Sequence, residues 1–214
     1  MLKITTLTLG PVLTNAYLLA DDHSGEAAVI DPAWSAKTIL AEADRYGWEI
    51  KHLWLTHAHF DHLGAIAEIC SSLKTPPSIG LHPSGLSLWK MGGGGDMFGF
   101  HINPGPTPDL ELVDGQVLTL GSSQFEVRYT PGHTVGHCIF YCASESVLFS
   151  GDLIFKGSVG RTDFPDGDFS SLEDSIRRKV YDLPDSTRIL SGHGPETTVG
   201  FEKQFNPFVR PSLI

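Results

Sequence analysis

The sequence predicts an α/β protein in which two sheets pack face to face with helices outside. Three observations lead there. Short apolar segments with β-strand character recur along the chain, and strands followed by a helix occur twice, once in each half. Four of those segments run into Thr-His-x-His, Pro-Gly-His, Ser-Gly-Asp or Ser-Gly-His. Each therefore brings ligand-type residues to one sheet edge, where open α/β sheets carry their sites. Finally, 214 residues with 41% hydrophobic and 19% charged side chains suffice for one sizeable core and would cramp a second domain. A single domain over residues 1–214 is the expectation.

Leu2–Leu9 alternates Thr with Leu and Ile and reads as a strand that Gly10-Pro11 ends. Residues 15–20 and Glu26–Ile30 read as two further strands across an Asp- and Gly-containing turn, with His23 exposed and inert. Asp31-Pro32 closes that run. Ser35 is a candidate N-cap for a helix through Tyr46, and Gly47 its stop. Residues 50–55 form a short apolar strand. A helix over 61–73 is expected, because Leu63, Ile66, Ala67, Cys70 and Leu73 recur at helical spacing; Cys70 is then a core thiol. Residues 76–82 read as a strand with His82 structural or on the surface, and 84–90 as a brief helix. Residues 91–108, with four glycines in a row at 92–95, read as a long mobile loop. Met97, Phe98 and Phe100 on it are either anchors that tie it down or a flap beside the substrate. Val117–Leu120 pairs with 124–130, and 138–141 with 146–149, as hairpins. An amphipathic helix over 169–181 turns Ile176, Val180 and Leu183 inward, and 188–190 is the last strand.

The chemistry concentrates at Thr56-His57-Ala58-His59-Phe60-Asp61-His62. Residues i and i+2 of an extended backbone point the same way, so His57 and His59 can reach one ion. Asp61 and His62, at a strand-to-helix turn, can reach a second beside it. Imidazole suits zinc, iron and similar ions, and a carboxylate adds charge and the option of bridging. Further along, His133, Asp152 and His193 stand at three more strand ends. His133 is preferred as a ligand over His137, which opens the next strand and reads as a supporting or packing residue. Arg161 and Asp163 read as an ion pair that orders their loop, and Lys156 as a weaker candidate for an anionic substrate tail.

Composition narrows the function. A net charge of −10 leaves no basic excess to hold phosphates, which argues against nucleic acid or an anionic membrane as partner. Three cysteines, Cys70, Cys138 and Cys142, without a CxxC fit a reducing cytoplasm better than a disulfide framework. The first residues lack the features of a signal peptide, and no apolar run approaches a membrane span.

His57-x-His59-x-Asp61-His62 followed by His133, Asp152 and His193, in that order, resembles the metallo-β-lactamase superfamily over nearly the whole chain. Residues 131–137 and Gly160-Arg161-Thr162-Asp163-Phe164-Pro165 are similar to its glyoxalase II (hydroxyacylglutathione hydrolase) branch, in particular the short bacterial members. The resemblance implies a four-layer αβ/βα sandwich with a dinuclear site. His57, His59 and His133 would hold one metal, Asp61, His62 and His193 the other, and Asp152 would bridge them. Zinc is the metal implied, with iron or manganese as alternatives in this branch. Glyoxalase II proteins usually add a C-terminal helical domain that grips glutathione. Here the chain runs from His193 only to residue 214, so 199–207 is expected to supply a short packing segment.

Two cations sharing a water bring its pKa from 15.7 toward about 7, so hydroxide is present at neutral pH. A thioester suits such a site because its thiol, with a pKa of about 8.5, departs as thiolate without a strong acid. Asp61 could also steer the hydroxide. The small-molecule substrate expected is hydroxyacyl-glutathione or a related thioester. The alternatives are a persulfide dioxygenase-like oxygenase with one iron and a non-catalytic metal-binding module.

Overall fold

A computed structural model describes residues 1–211. The chain runs through β1 (Leu2–Leu9), β2 (Thr14–Asp21), β3 (Glu26–Ile30), α1 (Ala36–Tyr46), β4 (Glu49–Trp54), α2 (Phe60–Leu63), α3 (Ile66–Ser72) and β5 (Ser78–Leu81). α4 (Leu86–Lys90), a 3-10 segment at Gly92–Phe98 and β6 (Leu110–Glu111) complete the first half. The second holds β7 (Val117–Leu120), β8 (Ser123–Tyr129), β9 (Cys138–Cys142), β10 (Val147–Gly151), β11 (Ile154–Phe155) and β12 (Ser158–Val159). It ends with α5 (Phe169–Lys179), β13 (Arg188–Ser191), β14 (Thr197–Thr198) and α6 (Val199–Phe205).

One six-stranded sheet has the order β1-β2-β3-β4-β5-β6 and the other β14-β13-β10-β9-β8-β7. The two-residue period of each strand feeds two different layers. In β2, Tyr17 and Leu19 face the second sheet, while Ala16, Leu18 and Ala20 face the helices. In β9, Cys138, Phe140 and Cys142 join the core between the sheets, and Ile139 turns outward onto α5. Trp54, Phe125, Phe140 and Phe149 fill that central core. Ile39, Ala43, Ile66 and Ile69 cover the first sheet, and Leu172, Ile176 and Val199 the second. The result is helix, sheet, sheet, helix: the expected four layers.

Several expectations need correcting. The helix expected over 61–73 is two helices, because the chain breaks at Gly64-Ala65, where the Ala65 N–H donates to the Pro32 carbonyl outside the helix. Ser35 does not cap α1; it sits in the left-handed region at φ 62° and its hydroxyl bonds no helix N–H. Gly47 does end that helix, at φ 69°. The segment expected as a mobile loop contains two short 3-10 turns joined at Gly93-Gly94, both with positive φ. Gly93 is pressed against the backbone of Phe60, and a Cβ there would overlap it. α5 ends at Lys179 rather than 181, and Asp168 caps it by accepting from the Ser171 N–H at 2.7 Å. α6 is the packing segment expected after His193. Among the described residues no helix is long and apolar enough to cross a membrane.

Candidate metal centre

Five chain segments meet where the strands end. His57 and His59 follow β4, Asp61 and His62 lie on α2, and His133, Asp152 and His193 follow β8, β10 and β13. The edges of the two sheets are tied together there: the Cys138 N–H donates to the Thr56 carbonyl at 2.7 Å, and Asn15 N–H to the Gly192 carbonyl at 2.7 Å. The Asn15 amide also donates to the Ser191 and Gly194 carbonyls at 3.0 and 2.9 Å, so β2 holds the turn that presents His193. Gly192 lets that turn pass close, since a Cβ on it would overlap the Asp152 carboxylate.

All seven residues singled out in the sequence come together. Their candidate donor atoms form three overlapping groups, each within 4.8 Å: His57, His59 and His133; His57, His62 and Asp152; Asp61, His62 and His193. Asp152 stands between the outer two. Its Oδ1 is 3.4 Å from His62 Nε2, and its Oδ2 is 3.6 Å from His133 Nε2 and 3.5 Å from His193 Nε2. Asp61 Oδ2 lies 3.4 Å from His62 Nε2 and 3.3 Å from His193 Nε2.

The groups around this cluster decide which ring nitrogens face it. Asp31, at the exit of β3, accepts from the Thr56 N–H at 2.8 Å, the Thr56 hydroxyl at 2.7 Å and His62 Nδ1 at 3.0 Å. His62 therefore donates from Nδ1, which leaves Nε2 as the nitrogen turned to the cluster. Because the Thr56 hydroxyl gives its proton to Asp31, it accepts from His57 Nδ1 at 2.9 Å, which turns His57 Nε2 to the cluster as well. His133 donates its Nδ1 proton to the Arg161 carbonyl at 2.7 Å. The Thr14 hydroxyl donates to Asp61 Oδ2 at 2.8 Å. His137 joins none of the three groups. Its Nε2 accepts the Asp152 backbone N–H at 3.2 Å, so it supports the Asp152 turn from behind.

These contacts supply a test of whether the cluster fits cations. His57 Nε2, His62 Nε2 and Asp152 Oδ1 are buried without a hydrogen-bond partner. A buried polar atom left unpaired costs about 1–3 kcal/mol, and three side by side call for something to bind. Nitrogen and carboxylate donors at this spacing suit divalent metals. Electrostatics agree. Burial pushes the His57 and His137 pKa values well below the ordinary imidazole range, so these rings are neutral. Burial opposes charge on His62 as well, but Asp61, Asp152 and Asp31 outweigh it and hold its pKa high. Burial also disfavours ionised Asp61, yet His62 and His193 bring it down to about 2, and histidine neighbours hold Asp152 lower still. The site is rich in carboxylate charge, with imidazoles to share it.

A cavity of about 560 Å³ opens over the cluster. His59, Asp61, His133, Asp152 and His193 form its floor; Met91, Met97, Phe98 and Phe164 are among its walls. Arg161 and Asp163 form the expected ion pair, through two bonds of 2.9 and 2.8 Å, and the Arg161 guanidinium lies 4.3 Å over the Phe164 ring. Lys156 lies outside this cavity, over Phe201. Phe98 and Phe100 stack on Phe60, as anchors do, whereas Met97 is 68% exposed. The sequence reading missed Asp31, Thr14 and Thr56. Asp31 obeys the same rule as the recognised residues, an acid at the exit of an apolar strand, and that signal could have found it.

The sequence from residue 9 to residue 193 matches the model of the metallo-beta-lactamase superfamily. The chain belongs to that superfamily. Its relatives include the hydroxyacylglutathione hydrolase GloC of Haemophilus influenzae, 36% identical over 91% of this chain and 92% of that protein. The crystal structure of BLEG-1 B3 metallo-beta-lactamase superposes with a TM-score of 0.89 at 37% identity, covering 98% of this chain and 99% of that one. TTHA1623 in a di-iron-bound form gives 0.87 at 38% identity, covering 96% and 100%. The resemblance seen in the sequence is thereby borne out, and a metallo-hydrolase fold with a His/Asp cluster suited to divalent metals is established.

Proposed function

We propose that this protein is a dinuclear metal-dependent thioester hydrolase of the glyoxalase II type, acting on hydroxyacyl-glutathione or related thioesters. The observation that carries the reading is the pair of donor groups with Asp152 between them. His57, His59 and His133 would hold one ion, Asp61, His62 and His193 the other, and Asp152 both. Zinc is the metal favoured by the histidine-rich donor set, and the di-iron form of TTHA1623 keeps iron open. When bound, the ions supply Lewis acidity: they acidify water and polarise a carbonyl.

The protein's own groups do the rest. Asp31 and Thr56 keep Nε2 of His57 and His62 turned to the site. Asp61, ionised at neutral pH and braced by Thr14, can orient a water by accepting its proton in a hydrogen bond. A thioester needs no strong acid to release its thiolate, whereas an amide needs its nitrogen protonated. The GloC relative supports the substrate class. A persulfide dioxygenase-like oxygenase would use one iron, which leaves Asp61, His62 and His193 without a purpose. A non-catalytic module would not need the cavity.

Among the described residues lining the cavity, Arg161 is the one lysine or arginine, and Asp163 already engages it. A charged glutathione tripeptide thus finds few remote contacts to strengthen toward the transition state. Steady-state kinetics on lactoyl thioesters, trimmed stepwise from glutathione to a simple thiol, should give a nearly flat kcat/KM with weak saturation. A steep loss on trimming would show a dedicated glutathione site.

A further inference from the structure

The cavity is chemically lopsided. Its floor is the His/Asp cluster, while its walls include Leu88, Met91, Met97, Phe98, Val135 and Phe164. Several of these are costly to leave in water: Met91 is 67% exposed, Met97 68%, Phe98 46% and Val135 44%. They do not scatter over the surface but line one concavity. The wall is continuous with the donor cluster. Phe164 meets the His59 ring edge-on at 5.3 Å, Phe98 meets Phe164 at 6.1 Å, and Phe60 backs Phe98 at 5.4 Å. A group bonded to a carbonyl held at the cluster would pass directly onto these side chains. Thioethers adapt to ligands of varied shape, and two of them stand at the mouth. Charge points the same way: Arg161 is engaged by Asp163, and Asp166 on the same wall repels anions.

We propose that the site selects thioesters bearing an apolar chain or an aryl ring, which the Met91, Met97, Phe98 and Phe164 wall covers. This rests on the thioesterase reading and names its preferred substrates. The acyl and the thiol portion are two sources of the same chemistry, and two series of substrates separate them. In one, the acyl group grows from acetyl to hexanoyl on N-acetylcysteamine. In the other, the thiol grows from ethanethiol to hexanethiol on a fixed acetyl group.

Full burial of a methylene corresponds to about four-fold in affinity, and partial burial to about two-fold. At least one series should therefore gain roughly ten-fold or more in kcat/KM across four methylenes. Met91→Ser/Met97→Ser, at two exposed positions that leave the core intact, should flatten the rising series. Turnover with both series flat, or a double variant with the slope unchanged, overturns the proposal. Binding of non-cleavable alkylthio ketones by the metal-loaded protein, followed by calorimetry, separates this failure from that of the hydrolase reading. If Kd falls about two- to four-fold per methylene while no thioester is cleaved, the apolar subsite stands and the thioesterase reading falls. Length-independent Kd overturns the subsite itself.

Discussion

Asp152 and Asp31 show what one carboxylate does from two distances. Asp152 faces His62, His133 and His193 at 3.4 to 3.6 Å and belongs to the donor set itself. Asp31 never reaches the cavity, yet it fixes the tautomers of His57 and His62 through three accepted hydrogen bonds. Asp152→Asn keeps the shape and, with two cations bound as proposed, removes a negative charge from between them. Both ions should weaken together, and kcat/KM should fall by at least about a hundred-fold, since even outer partners of metal ligands are worth about 10–100-fold. Metal titration alongside circular dichroism checks this; near-normal activity would show that Asp152 is not the bridge. The seven clustered residues were legible because each follows an apolar strand. Their partners were not. Asp31 shares the strand-exit position but stands 31 residues from His62, and Thr14 stands 47 from Asp61, so no pattern within a strand reveals those pairings.

The long strands of both sheets were legible from apolar runs and turn residues. Elements of two residues were not: β6, β11, β12 and β14 are too short for a period and exist through their neighbours. β11 and β12 form a small hairpin beside the His193 turn, with Phe155 meeting the His193 ring at 6.0 Å. That hairpin is tied to α6 by Glu202, which is fully buried. Its carboxylate accepts from the Gly157 N–H at 3.0 Å, the Thr197 hydroxyl at 2.6 Å and the Asn206 amide at 2.8 Å. Glu202→Ala removes the acceptor of two buried donors, on Thr197 and Asn206, and of the half-buried Gly157 N–H, and should cost roughly 3 kcal/mol. Urea unfolding of the metal-free variant measures it, and a loss below about 1 kcal/mol would mean that water replaces the carboxylate. The split between α2 and α3 escaped the sequence for a related reason. Leu63, Ile66 and Cys70 keep helical spacing through the break because all three still face the first sheet's outer layer.

Across the molecule, two sheets bring four strand ends and α2 to one edge, and that edge gathers negative charge in a protein whose net charge is already −10. Cations that bind the folded chain and not the unfolded one stabilise it by about 4 kcal/mol when present at about 1,000 times Kd. For a chain of this size each kcal/mol shifts Tm by about 2–4 °C, so chelation should lower Tm on the order of ten degrees or more. Calorimetry with and without a chelator, with metal added back, measures this. Two ions sharing Asp152 in a hydrolytic site, as proposed, would show in elemental analysis of protein purified without chelator, set against thioesterase activity in the same sample. Activity should rise with metal content and saturate as the ratio approaches about two ions per chain. A stable preparation holding a single iron, consuming oxygen and already at full activity, would contradict that proposal.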